Sequence, residues 1–352
     1  MSACFVCNEE AIVSESLPVC VDCIRDRFVD AKRFIEKSHG ASREEFGLVE
    51  YPPRTGDVKC PVCVNECVIP EKQKGYCGLR KNEGGKLVQI GGTKQKGILD
   101  YYFDNLPTNC VADFVCPGSK MLGKKNLSVF YRSCNFNCMF CQNWHYKNRA
   151  SNYENETDFV SAEELAGKVD SRTFCVCFFG GDPAVQMEHA LETANKLKGK
   201  VKICWETNGS MNESLVHKMA EISLRSGGCI KFDLKAFSEN LAIALTGSSN
   251  RLTLENFKRV AQYKRLDFPL LIASTPLIPG YIDEEEIYQI ASFIAAIDIE
   301  IPYSLLAFHP DSGFSDLPFT STVQAKRSAQ IAQDCGLKKV FIGNIHILDA
   351  IR

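Results

Sequence analysis

The sequence predicts an α/β fold: an incomplete barrel preceded by small cysteine-rich modules. Three observations lead there. From Leu127 onward, strand-like apolar runs alternate with helix-like segments, and repeated β-α units imply a parallel sheet with helices outside. Glycines and charged residues gather just after the strand-like runs, where barrels of this kind carry their chemistry. Upstream, cysteines fall into short groups with metal-ligand spacing.

The strand-like runs are 127–131, 173–179, 201–206, 229–234, 268–274 and 303–308, and 339–342 is a further strand candidate. Six units suit a partial (β/α)6 TIM-type barrel, open on one side. Ser161 with Glu164 three residues on opens one helix with a capping box. The acidic run after Asp283 opens another, and 321–335 supplies a last long helix. The expected organisation is a four-cysteine module with its helix (1–37), a linker (38–57), a second four-cysteine module (58–97) and the barrel (98–352).

A chain of 352 residues can hold one large domain plus appendages. Lys plus Arg number 41 and Asp plus Glu 43, a balance that gives no basic field for nucleic acid. No apolar stretch reaches the ~18 residues of a membrane span. The first residues lack the basic and apolar regions of a secretory signal. Eighteen cysteines without such a signal point to metal rather than disulfides. The expected setting is a reducing cytoplasm, that of an anaerobic cell, because exposed thiolates and an open iron cluster oxidise in air.

Cys4-x2-Cys7 and Cys20-x2-Cys23 are two knuckles able to bring four sulfurs to one ion, as in zinc ribbons and rubredoxin. Zinc is favoured over a single iron there, because structural sulfur-only sites most often hold zinc. A helix over about 21–37 follows. Cys60, Cys63, Cys67 and Cys77 form a second group, compatible with zinc or an auxiliary iron–sulfur cluster. Cys110 and Cys116 precede the first barrel strand and read equally as ligands of an auxiliary centre or as spare thiols. Cys175, Cys177, Cys204, Cys229 and Cys335 sit in strand-like or helical segments and read as small buried hydrophobes.

The most informative run is Cys134-Asn-Phe-Asn-Cys138-Met-Phe-Cys141, spaced C-x3-C-x2-C. Structural zinc needs four ligands, and so does an iron–sulfur cube held by protein alone. Three thiolates leave one iron open to a small molecule. The run resembles the signature of the radical S-adenosylmethionine (SAM) superfamily. That resemblance implies that Cys134, Cys138 and Cys141 hold a [4Fe–4S] cluster whose fourth iron is chelated by SAM. It further implies one-electron cleavage of SAM to a 5′-deoxyadenosyl radical, fed by a low-potential donor of flavodoxin or ferredoxin type. Phe140 matches the aromatic residue that usually precedes the last cysteine.

Gly180-Gly181-Asp182-Pro183 resembles the family's Gly-Gly-Glu-Pro, whose backbone meets the SAM amino group; here Asp182 replaces the Glu. Glu206-Thr207-Asn208-Gly209 and Asp233-Leu234-Lys235 resemble segments of the pyruvate formate-lyase activating enzyme branch. By that likeness Lys235 meets the SAM carboxylate, and Glu206, Thr207 and Asp233 share the polar floor. His309 ends an apolar run and is expected to line the pocket. From about residue 57 onward the chain resembles AmmeMemoRadiSam-type proteins, through its four-cysteine run ending Cys77-Gly-Leu-Arg80 and through Cys141-Gln-Asn-Trp144. The activity implied is hydrogen abstraction from a peptide, a protein or another large substrate, with cobalamin-dependent C-methylation as a variant. A glycyl-radical enzyme activase and a non-catalytic metal-binding scaffold are the alternatives.

Overall fold

The computed structural model describes residues 2–150 and 152–350. Its N-terminal module is a small antiparallel pairing of Ser2–Ala3 with Glu10–Ala11, followed by helices α1 (Val21–Asp26) and α2 (Phe28–Glu44). The helix expected over 21–37 is thus broken at Arg27 and continues to Glu44, into the stretch expected as linker. The reason is a stripe at four-residue spacing: Ala31, Ile35, His39 and Arg43 are all buried. Gly40 fits within this helix because a Cβ there would meet the Tyr51 hydroxyl at 2.7 Å. Two further hairpins, Val58–Lys59 with Val68–Ile69 and Arg80–Glu83 with Lys86–Gln89, carry the second cysteine group.

The main sheet has eight strands in sequence order: β1 (Leu99–Asn105), β2 (Lys125–Tyr131), β3 (Thr173–Phe179), β4 (Lys202–Thr207), β5 (Ile230–Asp233), β6 (Leu271–Leu277), β7 (Tyr303–Ala307) and β8 (Val340–Gly343). β1 runs antiparallel to β2, and every later pairing is parallel. β1 and β8 are not bonded to each other, so the barrel stays open. The sequence alone does not show β1, whose mixed polar residues are mostly exposed. β6 begins at Leu271 rather than 268, because Pro269 has no N–H to give a ladder.

Side chains alternate across each strand. On β3, β4 and β5 one set, Val176, Phe178, Ile203, Trp205, Ile230 and Phe232, is fully buried in the main core. Trp205 donates to Ser223 Oγ at 2.8 Å on α3 (Glu213–Ser226), and Phe232 meets Phe257 edge-on on α4 (Arg251–Ala261). This set therefore faces the outer helices. The expected caps are present: Ser161 forms a full capping box with Glu164, and Asp283 and Ser321 accept from Glu286 and Gln324 N–H groups. No described helix is long and apolar enough to cross a membrane.

Candidate active site at the mouth of the barrel

Cys134, Cys138 and Cys141 lie in the loop after β2 and line one cavity of about 200 Å³ with Phe140, Gly181, Asp182, Asp233 and Lys235. The chain bends sharply to make this loop. Ser133 adopts φ 137°, and its carbonyl accepts from Asp182 N–H at 2.8 Å. Gly181 (φ 32°) passes so close that a Cβ would lie 2.1 Å from the Ser133 oxygen and 2.4 Å from the Tyr131 oxygen; one on Gly180 would enter the Phe130 ring. Both obstacles at Gly181 are backbone, so neither can step aside. Gly181→Ala is expected to destabilise the chain by about 3 kcal/mol and to lower its iron content, measured by denaturant unfolding and metal analysis.

The loop is clamped by asparagines. Asn135 accepts from Asn208 Nδ2 at 2.8 Å and donates to the Ser210 carbonyl at 3.2 Å; its own carbonyl accepts from Asn65 Nδ2 at 2.6 Å. Asn137 accepts from Lys147 Nζ at 2.7 Å and donates to His39 Nδ1 at 3.0 Å and Ser42 Oγ at 2.7 Å. The backbone N–H groups of Asn137 and Met139 bond to the carbonyls of Thr246 and Leu245. Neither asparagine carries a motif of its own in the sequence. The only signal was their polarity at positions that prove to be buried.

His39 faces the Ala244 carbonyl through Nε2 at 3.0 Å, so Nε2 carries the proton and Nδ1 accepts from Asn137. Burial pushes the imidazolium down from 6.5 to about 4. Because the folded value lies below the unfolded one, this contribution is present above pH 6.5 and is lost as pH falls toward 4. The gap corresponds to about 3 kcal/mol. In His39→Gln the loss of stability between pH 6.5 and 5, read by denaturant unfolding, is expected to be shallower.

Asp182 is buried and accepts from Ala184 N–H at 2.8 Å, Thr207 Oγ1 at 2.9 Å and Asn208 N–H at 2.7 Å. Burial raises its carboxyl to about 6, against the pull of those hydrogen bonds. Thr207 and Asp182 thereby tie the ends of β3 and β4 together. Lys235 bonds Asp233 Oδ2 at 3.1 Å, and Asp233 Oδ1 accepts from Ser274 Oγ at 2.8 Å. Burial works against the Lys235 ammonium, but Asp233 and Cys138 hold its pKa above the usual lysine range. Its Nζ stands 5.4 Å over the Phe140 ring.

Two expected residues are placed elsewhere. Glu206 shares the face of Cys204, pairs with Lys231 on β5 at 2.7 Å, and lines a different cavity; it stands level with Lys231, one inward position below Asp233. His309 is exposed and packs edge-on against Phe319, while Phe308 takes the place in the wall.

The residues present fit the implied groups. Burial pushes the Cys134, Cys138 and Cys141 thiols up, Cys138 to about 12, so each thiol waits neutral for a metal to displace its proton. Three thiols lining one cavity offer a cluster the three protein ligands that leave one iron open. A fixed ammonium beside it suits a carboxylate.

Cys4, Cys7, Cys20 and Cys23 do bring all four sulfurs within 4.8 Å. Zn–S bonds of about 2.3 Å in a tetrahedron place the sulfurs about 3.8 Å apart, inside that limit. The module is anchored by Tyr281, whose hydroxyl donates to the Leu17 carbonyl at 2.6 Å and accepts from Ser14 N–H. Cys60, Cys63, Cys67 and Cys77 line one small cavity with Arg80, and their sulfurs spread beyond the single-ion distance. This second module forms part of the loop's support: Ser133 Oγ donates to the Cys77 carbonyl at 2.7 Å.

An open parallel barrel with three thiols, a lysine and a glycine-lined turn at its mouth defines an enzyme that works on a small molecule bound to a metal cluster. Residues 128–294 match the family model of the radical SAM superfamily, so the chain carries a radical SAM domain there and is an enzyme. It is 24% identical over 300 residues to an uncharacterised protein of Methanocaldococcus jannaschii, covering 82% of this chain and 81% of that one. It is 28% identical over 184 residues to a candidate glycyl-radical enzyme activating enzyme of the same organism, covering 52% and 67%. It is 30% identical over 135 residues to the isethionate sulfite-lyase activating enzyme of Desulfovibrio desulfuricans, covering 37% and 40%.

Proposed function

We propose that this enzyme abstracts hydrogen from a side chain or backbone carbon of a peptide or protein. The observation that carries the reading is the unpaired seam between β1 and β8, which leaves the barrel open to a large substrate. Relatives named as activating enzymes, which act on partner enzymes, support the same class. When bound, a [4Fe–4S] cluster and SAM supply reductive cleavage of the sulfonium and the abstracting radical. The chain's own residues hold and orient. Cys134, Cys138 and Cys141 provide the thiolates, and Lys235 meets the SAM carboxylate. Asp182 keeps the Gly181 turn in place for the amino group. Phe136, Phe140 and Phe308 exclude water from the wall.

The test is anaerobic incubation of reduced enzyme with SAM and candidate proteins in ordinary and deuterated form. Label in 5′-deoxyadenosine from a protein donor is expected, and label from a small metabolite alone overturns the reading. Label from a glycyl residue favours the activase, whereas an added methyl group favours the cobalamin-dependent variant. An electron donor of flavodoxin or ferredoxin type belongs to the same proposal.

We assign zinc to Cys4, Cys7, Cys20 and Cys23, and a metal centre of either kind to Cys60, Cys63, Cys67 and Cys77. Cys23→Ser is expected to release about one zinc per chain and to lower the melting temperature, as read by metal analysis and calorimetry.

A further inference from the structure

The inner face of the barrel is not packed as barrels usually are. The inward positions of β3, β4 and β5 include Cys177, Cys204, Glu206 and Lys231, and Cys229 stands just before β5. Barrel interiors are ordinarily filled by bulky branched side chains. Here the helix-facing positions carry those, and the inner ones carry thiols and an ion pair around a cavity of about 90 Å³. Cys177 and Cys204 are register partners on neighbouring strands, and the Trp205 N–H bonds the Cys229 carbonyl. One row of three thiols thus crosses three strands at about 4.8 Å per strand.

The loop between β1 and β2 adds Cys110 and Cys116 to the same cavity. Phe114 of that loop stacks on Phe341 of β8 at 4.7 Å, fastening it across the open seam. Lys231 is almost wholly buried and holds Cys110 Sγ at 3.4 Å, Cys177 Sγ at 3.2 Å and Glu206 at 2.7 Å. A buried ammonium costs several kcal/mol unless paired. Glu206 meets that charge, and the two thiols lie within hydrogen-bond reach of the same ammonium.

We infer that four of Cys110, Cys116, Cys177, Cys204 and Cys229 supply the ligands of a second iron–sulfur centre inside the barrel. Soft thiolates select zinc, copper(I) or iron–sulfur clusters. Thiols from three strands and one loop around a single cavity give the several anchor points that an iron–sulfur cluster needs. Each ligating thiol releases its proton to solvent as iron binds, and iron and sulfide come from the same supply as the mouth cluster. Lys231 donates N–H bonds to two ligand sulfurs, and such bonds raise a cluster's potential. Cys177 is four residues below Gly181, about 13 Å along the strand, so the two centres share the same strands.

The experiment uses full-length protein reconstituted anaerobically with iron and sulfide. In Cys134→Ala/Cys138→Ala/Cys141→Ala, which removes the mouth cluster and with it any SAM chemistry, residual iron, labile sulfide and zinc are counted. Adding Cys204→Ser/Cys229→Ser to this background is expected to remove at least about two further irons and two sulfides per chain, with zinc unchanged. Adding Cys110→Ser/Cys116→Ser instead, on the loop rather than the strands, is expected to do the same and guards against misfolding of the strand variant. Iron and sulfide unchanged by the loop substitutions, in protein that keeps its zinc, overturn the inference. Retention of iron by a folded strand variant does so equally.

Discussion

Alanine at Cys138 is expected to reduce 5′-deoxyadenosine formation to the level of a protein-free control. The three thiols of the mouth are all needed to hold a cluster with one open iron, and removing one leaves two ligands on a loop whose other contacts are to protein. The same variant should contain about four fewer irons per chain while its melting temperature stays close to the parent's, because the loop's shape comes from Asn135 and Asn137 and not from Cys138. Wild-type amounts of 5′-deoxyadenosine from the variant, measured by chromatography after anaerobic reduction, would remove the basis for the mouth as the active site. Equivalent results are expected for Cys134→Ala and Cys141→Ala.

The second large effect is expected at Lys235. Methionine keeps the length of the side chain over Phe140 but removes the ammonium that pairs with Asp233. Truncating one partner of a buried charge pair costs about 2 to 4 kcal/mol, so SAM binding should weaken roughly 30- to 1,000-fold. Iron content should be unchanged, which separates this effect from cluster loss. Lys235→Arg should recover part of the affinity, since it keeps the charge but not the compact ammonium. Equilibrium dialysis of reconstituted protein against labelled SAM reads both, and equal affinity in Lys235→Met would show that the carboxylate is bound elsewhere.

Much of this was legible in the chain. The alternation from residue 127 gave the strands of the barrel, because each buried strand is an apolar run bounded by polar turns. The cysteine spacing and the two strand-end motifs gave the mouth, because those contacts are local in sequence. What escaped was nonlocal or depended on which face a residue takes. Glu206 belongs to the inner face with Cys204, an assignment that period-two alternation from the cysteine would have supplied. His309 stands one residue beyond the wall-forming Phe308. β1 was hidden because an edge strand with one wet face carries no continuous apolar signal. The docking of the second cysteine module onto the loop joins residues 65 with 135 and 77 with 133, and no pattern along the chain announces a pairing of that span. α2 runs past its expected end at residue 37 because His39 and Arg43 continue a buried stripe that only the packing against it reveals.

The clamp on the cysteine loop also sets a timetable for biosynthesis. Its backbone is pinned by carbonyls at residues 245 and 246, its side chains by groups at 208 and 210, and its approach by a histidine at 39. A nascent chain that has emerged only as far as the third signature cysteine has the sulfurs and the histidine, but not the groups at 208 and 210 or the carbonyls at 245 and 246. Iron delivery to this protein is therefore a late step, productive only once about two-thirds of the polypeptide has left the ribosome and folded back on itself.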